Sequence, residues 1–221
     1  KISKSLGNVI DPVELVDQYG VDQTRFFLMS EVGFGNDGDF SDKAMILKCN
    51  ANLANELGNL CQRVLTMVFK NCNKAVPEVD PEADFAEEDK VLLKSVEGLH
   101  DRIKPLMEEQ AIQKYANELI EMVWEANKYI DEMAPWVLRK ENPERMAVVL
   151  YVLMEVLRYV AILYQPIIPT SAAKILDLLT VPEDQRTFEY LKPDFRVQAG
   201  NPISKPQGVF PRIELPELVE A

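Results

Sequence analysis

The run from Met146 to Leu163 constrains this chain more than any other segment. Asn142-Pro143 opens it, an N-cap residue followed by the helical position that tolerates proline, and Pro166 and Pro169 close it. From Met146 to Leu163 nearly every side is apolar, and Glu155 and Arg158 are the only charges. A helix that is apolar all round has to be enclosed. The two charges break it before it reaches the roughly eighteen uncharged apolar residues expected of a bilayer span. The segment therefore predicts the central member of a helix bundle.

The flanking sequence supplies helices to surround it. Asp11 as cap, Pro12 at the first helical position and Gly20 at the end predict a short helix, and a second covers about Asp22 to Ser30. Asp22 and Arg25 stand three apart near that start, where a cap and an ion pair explain both. Glu31 to Asp39 holds three glycines and reads as a loop. From Ser41 or Asp42 to about Phe69, apolar residues recur at Met45, Ile46, Cys49, Leu53, Leu57, Leu60, Val64 and Leu65 with helical spacing. After the Pro77 to Pro81 break, another helix is expected from Glu87 through Leu106, kinked at Pro105. A third long helix runs from Ala111 to Met133, with Trp124 counted among its core residues and a break at Ala134-Pro135. Thr170 is expected to cap a fifth, through about Leu179. From Val181 the proline-rich remainder predicts an extended tail, with a short helix near Pro216 to Val219. The fold class is mainly α: a small helical module, an antiparallel bundle and a tail packed back on it. The expected divisions are 1–40, 41–180 and 181–221.

Charge and cysteine content narrow the function. The formal net charge is −12, the reverse of a general nucleic-acid binder. The distribution is uneven: seven acids lie between Glu78 and Asp89, while Arg63, Lys70 and Lys74, then Arg139, Lys140 and Arg145, form basic groups. A local RNA contact remains compatible with that pattern. Cys49, Cys61 and Cys72 are odd in number and far apart, which argues for reduced thiols in a cytosol-like compartment. With one histidine, His100, and no close pair of cysteines, no metal site is visible. The chain opens inside a polar loop without an initiator Met, and reads as the C-terminal piece of a longer protein.

That opening is Lys1-Ile2-Ser3-Lys4-Ser5. Two lysines on flexible stems with hydroxyls beside them suit a mobile loop that grips a polyphosphate, and a solvated loop is the bland alternative. A second pattern is Asn50, Asn55, Asn59 and Arg63. The last three stand four apart, on one helical stripe about 12 Å long. Asparagine amides and an arginine fork can read base edges. A solvated face would account for Asn59 and Arg63 as well, yet three asparagines in one helix carry a propensity cost that asks for compensation. Asn50 and Asn55 are assigned to structure, bonding to neighbouring segments. The third pattern, Asn127-x-Tyr129-x-Asp131-x-x-Ala134-Pro135-Trp136, sets an indole just past a helix end, where it is either core or a stacking surface for an unpaired base.

Residues 1–25, K-I-S-K-S-L-G-N-V-I-D-P through Y-G-V-D-Q-T-R, resemble the signature loop and following module of class I aminoacyl-tRNA synthetases. Asn59-Leu60-Cys61-Gln62-Arg63 and Ala134-Pro135-Trp136, with Phe210-Pro211-Arg212-Ile213 near the end, resemble the anticodon-binding bundle of the methionyl-tRNA synthetase family. The resemblance implies a methionine–tRNA ligase that uses ATP with Mg²⁺. It makes Lys1, Ser3, Lys4 and Ser5 ATP-binding residues, with Lys1 and Lys4 catalytic, and Asn59, Arg63 and Trp136 the residues for the anticodon of tRNA(Met). It also implies an upstream catalytic half that binds methionine and ATP, and a cytoplasmic enzyme, with an organellar one as the alternative. Two readings from other classes stand beside it: a free-standing tRNA-binding module, and a helical interaction scaffold.

Overall fold

The computed structural model describes residues 10–33, 35–36, 40–80 and 84–214. Lys1, Ser3, Lys4 and Ser5, and the helix expected near Pro216, lie outside the described residues. Helix α1 (Pro12–Tyr19) begins as its punctuation dictates, with Asp11 accepting from Val13 N–H at 2.8 Å, and it ends at Gly20, whose φ of 94° suits glycine. Helix α2 (Val21–Glu31) follows at once. Ser41 caps α3 (Asp42–Cys49) by accepting from Ala44 N–H at 3.1 Å.

The long helix beyond Ser41 is continuous but not uniform. Between α3 and α4 (Asn59–Asn71) the segment Asn50–Gly58 widens to π geometry, with Asn59 N–H donating to Ala54 C=O five residues back. Such widened turns recur at functional sites. The next expected helix is two: α5 (Glu87–Glu97) and α6 (Leu99–Glu108), parted at Gly98, whose ψ is −5°. The break thus falls at glycine and not at Pro105. Pro105 and Asp101 are both exposed, so the Asp101 carbonyl that loses its amide partner faces solvent and α6 continues past it.

Helix α7 (Ile112–Met133) stops at Ala134, which adopts the left-handed conformation at φ 44°, ψ 58°. Pro135 then starts a short helix that the sequence reading did not anticipate, α8 (Pro135–Glu141). Asn142 caps α9 (Pro143–Tyr164), accepting from Arg145 N–H at 3.0 Å. Helix α9 is enclosed by α4, α5, α7, α8 and α10 (Pro169–Leu178), which explains its all-round apolarity. Its length and composition match a membrane span, and 94% of that stretch is buried against the rest of the protein.

The two charges within its Met146–Leu163 stretch are both bonded. Arg158 and Glu155 are each 1% exposed and pair at 3.0 Å. Arg158 also donates to the carbonyls of Tyr190 and Lys192, while Glu155 accepts from Val197 N–H at 2.5 Å. The pair therefore fastens the tail to the central helix. The tail itself forms three single 3₁₀ turns between Glu183 and Phe195. It then runs beside Lys74–Val76, with Val76 N–H to Asn201 C=O and Gly200 N–H to Val76 C=O both at 2.9 Å. That single antiparallel bridge is the only extended pairing among the described residues.

Thr170 does not cap α10. The cap comes from α2: the Asp22 carboxylate, 4% exposed, accepts from Thr170 N–H at 3.3 Å and Ser171 N–H at 2.5 Å. Arg25 donates to the carbonyls of Ile167 and Pro166. Asp22 and Arg25 are structural, as expected, but they act on a turn more than 140 residues away and not on their own helix start. An acid at a helix N-terminus meets free N–H groups and the positive end of the dipole, so this clamp binds the small helical module to the bundle.

Candidate nucleic-acid interface

Asn59 starts α4 on an exposed face, and its neighbours at three and four residues on, Gln62 and Arg63, lie to either side of it. On the Gln62 side, Asn55, Gly58, Asn59 and Gln62 form one wall of an open groove of 720 Å³, and tail residues Gly208, Val209 and Phe210 form the other. The close approach depends on Gly58. A Cβ there would stand 3.2 Å from the Phe210 ring and 3.0 Å from the Leu53 carbonyl oxygen. Asn50 holds the next part of the tail as a peptide group would, donating to Ile213 C=O at 2.7 Å and accepting from Ile213 N–H at 2.9 Å.

On the other side, Arg63 meets Trp136. The guanidinium carbon lies 5.0 Å from the indole centroid, and Nη2 donates to Asp131 Oδ1 at 2.5 Å. The left-handed Ala134 and Pro135 reverse the chain after α7 and set Trp136 at the second position of α8, still 41% exposed. Asn127, one turn before Asp131, donates to Glu56 at 2.8 Å, so α7 is tied to the widened segment as well as to α4. The indole is thus neither core nor loose. A guanidinium over an indole is attractive in itself and fixes the ring. The exposed part of that ring is a flat surface on which an unpaired base can stack.

The structure brings Arg63 and Trp136 together and sets Asn59 one turn, about 6 Å, along the helix from Arg63. Asn55, assigned to structure from sequence, is exposed and lines the groove with Asn59. Gln62 and Phe210 were not singled out for the site, although both stand inside the quoted motifs. Trp124 is also a correction. It is 51% exposed, because the buried stripe of α7 is Leu119, Met122, Val123, Ala126 and Ile130. Trp124 instead shares the outer stripe with Asp131, seven residues on.

The basic cluster also divides. Arg145 donates to both oxygens of Asp89, which is fully buried and also accepts from Tyr129 O–H at 2.5 Å and Ala86 N–H at 2.9 Å. Burial works to raise the Asp89 carboxyl, but the hydrogen bonds from Arg145 and Tyr129 prevail and hold it below the usual carboxylate range. Arg145 is therefore spent on the interior. Arg139 and Lys140 remain exposed on α8, the helix that carries Trp136, so the interface has local positive charge within an acidic protein.

Burial pushes the Cys49 and Cys61 thiols up to about 12 and Cys72 up to about 11, which makes all three poor nucleophiles and poor metal ligands. No group of three or more His, Cys, Asp or Glu side chains suited to a metal occurs among the described residues. The His100 and Phe188 rings meet at a tilt of 42°, with centroids 5.1 Å apart.

Comparison with known proteins gives the class first. A family model described as tRNA synthetases class I (M) matches residues 1–65. A second, described as the anticodon binding domain of methionyl tRNA ligase, matches residues 76–220, and the chain belongs to that family. It is 48% identical over 212 residues to a methionine–tRNA ligase of Brucella suis, aligned over 96% of this chain and 40% of the relative. With a methionine–tRNA ligase of Mycobacterium leprae the identity is 44% over 222 residues, covering 99% and 40% respectively. The crystal structure of Mycobacterium tuberculosis methionyl-tRNA synthetase bound by methionyl-adenylate superposes with a TM-score of 0.90 at 44% identity, over 96% of this chain and 42% of that one. The chain thus spans about two fifths of the length of the curated relatives it matches.

Proposed function

We propose that this chain is the anticodon-reading part of a methionine–tRNA ligase, an enzyme that joins methionine to tRNA(Met) through methionyl-adenylate at the expense of ATP. The observation that carries the proposal is the half-buried Arg63 held against the exposed Trp136 ring and locked by Asp131, with the exposed amide of Asn59 one turn away. RNA loops are read in this manner, by splaying bases onto aromatic faces and hydrogen-bonding their edges. Trp136 stacks on one anticodon base, and Asn59 and Arg63 bond to base edges. Arg139 and Lys140 offset the phosphate charge nearby. The exposure of Trp136 beside Arg63 disfavours a helical scaffold that has lost RNA binding.

In this reading residues 1–40 complete the catalytic region. Lys1 and Lys4, helped by Ser3 and Ser5, bind the triphosphate of ATP, and Lys4 stabilises charge as it develops on the pyrophosphate. Mg²⁺ arrives with the ATP as part of the substrate. Residues 41–180 read the anticodon, and residues 181–221 return along the bundle. The methionine pocket belongs to the upstream catalytic half, which is the principal protein partner, and the compartment is cytosol-like.

Two assays test the proposal. The 221-residue chain should show no ATP–pyrophosphate exchange by itself, and it should protect the anticodon loop of tRNA(Met) from single-strand nuclease. Protection confined to another part of the tRNA, or none at all, would remove the anticodon assignment.

A further inference from the structure

The tail residues that wall the amide-lined groove border a further depression. Gly208 and Val209 also line a second cleft of 260 Å³, whose other sides are Lys174 and Leu178 of α10 and Ser204, Lys205 and Gln207 of the tail. The two depressions thus share Gly208 and Val209 in their linings.

We propose that the second cleft binds the phosphate backbone of an RNA strand whose bases lie along Asn55, Asn59 and Gln62. This rests on the RNA-reading assignment above and extends it to a site of different chemistry. The groove along α4 offers uncharged amides, and the cleft beside α10 offers cations. Lys174 and Lys205 are exposed and have no ion-pair partner among the described residues. Asp177, the one acid in the cleft, is paired with Arg186 at 2.7 Å, so its charge is offset. The lysines are also held in position. Ile203 N–H bonds to Lys74 C=O at 2.8 Å on one side of Lys205, and Val209 and Phe210 are buried on the other. Lys174 stands on α10, which the Asp22 clamp fixes. A flexible ammonium held at its base is a point-charge phosphate binder.

Gly208 borders both depressions. A Cβ built on it meets nothing within 4 Å, and its backbone is not in the left-handed region, so nothing in the protein itself requires glycine there. A side chain placed there would project into open space beside both depressions.

The test measures binding of the full 221-residue chain to a tRNA(Met) anticodon stem-loop over a range of salt concentrations. Two phosphate contacts to a single strand are expected to contribute about 1.4 to the slope of log K against log salt. The Lys174→Gln/Lys205→Gln variant should lose that amount and weaken the cognate and a base-swapped loop by the same factor. Gly208→Leu should weaken RNA binding about ten-fold or more with an unchanged melting temperature. An unchanged salt slope in the double lysine variant, with wild-type binding intact, overturns this inference alone. A wild-type chain that does not bind the stem-loop overturns both this inference and the RNA-reading assignment.

Discussion

Arg63 is held from two directions: its guanidinium lies 5.0 Å over the Trp136 ring and bonds to Asp131 at 2.5 Å. The arrangement needs a planar, forked cation, because the same group must face an indole and a carboxylate at once. Arg63→Lys should therefore behave almost as poorly as Arg63→Ala. Trp136→Ala should weaken RNA binding about 5- to 150-fold, the equivalent of about 1–3 kcal/mol for one stacked base, and Trp136→Phe should recover part of it. Equilibrium titration checks each value, with circular dichroism to establish that the variants are folded. Full RNA affinity in Arg63→Lys would mean that the fork is not used.

Asp89 predicts a pH dependence. Its carboxyl is held below the usual range, so its contribution to stability is present above the unfolded value of about 4 and is lost as pH falls through the folded one. Urea midpoints of the wild-type chain should drop on acidification below about pH 4. Asp89→Asn should be less stable at pH 7 by about 3–5 kcal/mol, since it leaves Arg145 without its partner. The difference between the two proteins should narrow as pH falls. A constant gap would show that Asp89 is not ionised in the folded state.

Glu155 and Arg158 are buried together, and both bond to the tail. Breaking one partner of such a pair strands the other charge, at about 3–5 kcal/mol. Glu155→Ala should destabilise the chain by that order and speed amide exchange at Val197 and around Tyr190 more than in α9 itself. Uniform acceleration along the whole chain would assign the pair a role in the core and not in fastening the tail.

Asp22 acts as a cap supplied by another helix, and capping losses run at about 0.5–2 kcal/mol. Asp22→Ala should fall in that range and expose the Thr170 and Ser171 amides to exchange, with Asp22→Asn in between. Protection at those amides that survives Asp22→Ala would rule out the clamp.

These contacts also mark where reading the sequence stopped. Helix ends at Asp11, Ser41 and Asn142 were legible because a cap is a local bond between a side chain and an amide two or three residues on. The enclosed helix α9 was legible because its apolar pattern has one physical solution. Asp22 looked local too, yet its partners are 148 and 149 residues away, and spacing carries no trace of that. Pro105 drew attention as a helix breaker, while the break settled at Gly98, because an exposed proline turn can leave its orphan carbonyl to water. Trp124 was misplaced by composition. Aromatic residues favour the core, but its angular position on α7 puts it outside, and that position was computable from the stripe itself. At the proposed interface the motifs pointed to Asn59, Arg63 and Trp136. Asn55 and Gln62 became visible only when the tail folded over Gly58 and made a groove of that helix face. The identity of Arg145 as an interior ion-pair partner also required the tertiary fold.

The central claim is that this bundle reads an anticodon, and one comparison tests it most directly. The 221-residue chain would be titrated with tRNA(Met) bearing the CAU anticodon and with the same tRNA carrying one changed anticodon base, at one fixed salt concentration. The account predicts tighter binding to CAU by about ten-fold or more, at about 1–3 kcal/mol per mismatched base, and loss of that preference in Trp136→Ala. Equal affinity for both tRNAs, with the same salt dependence, would contradict it.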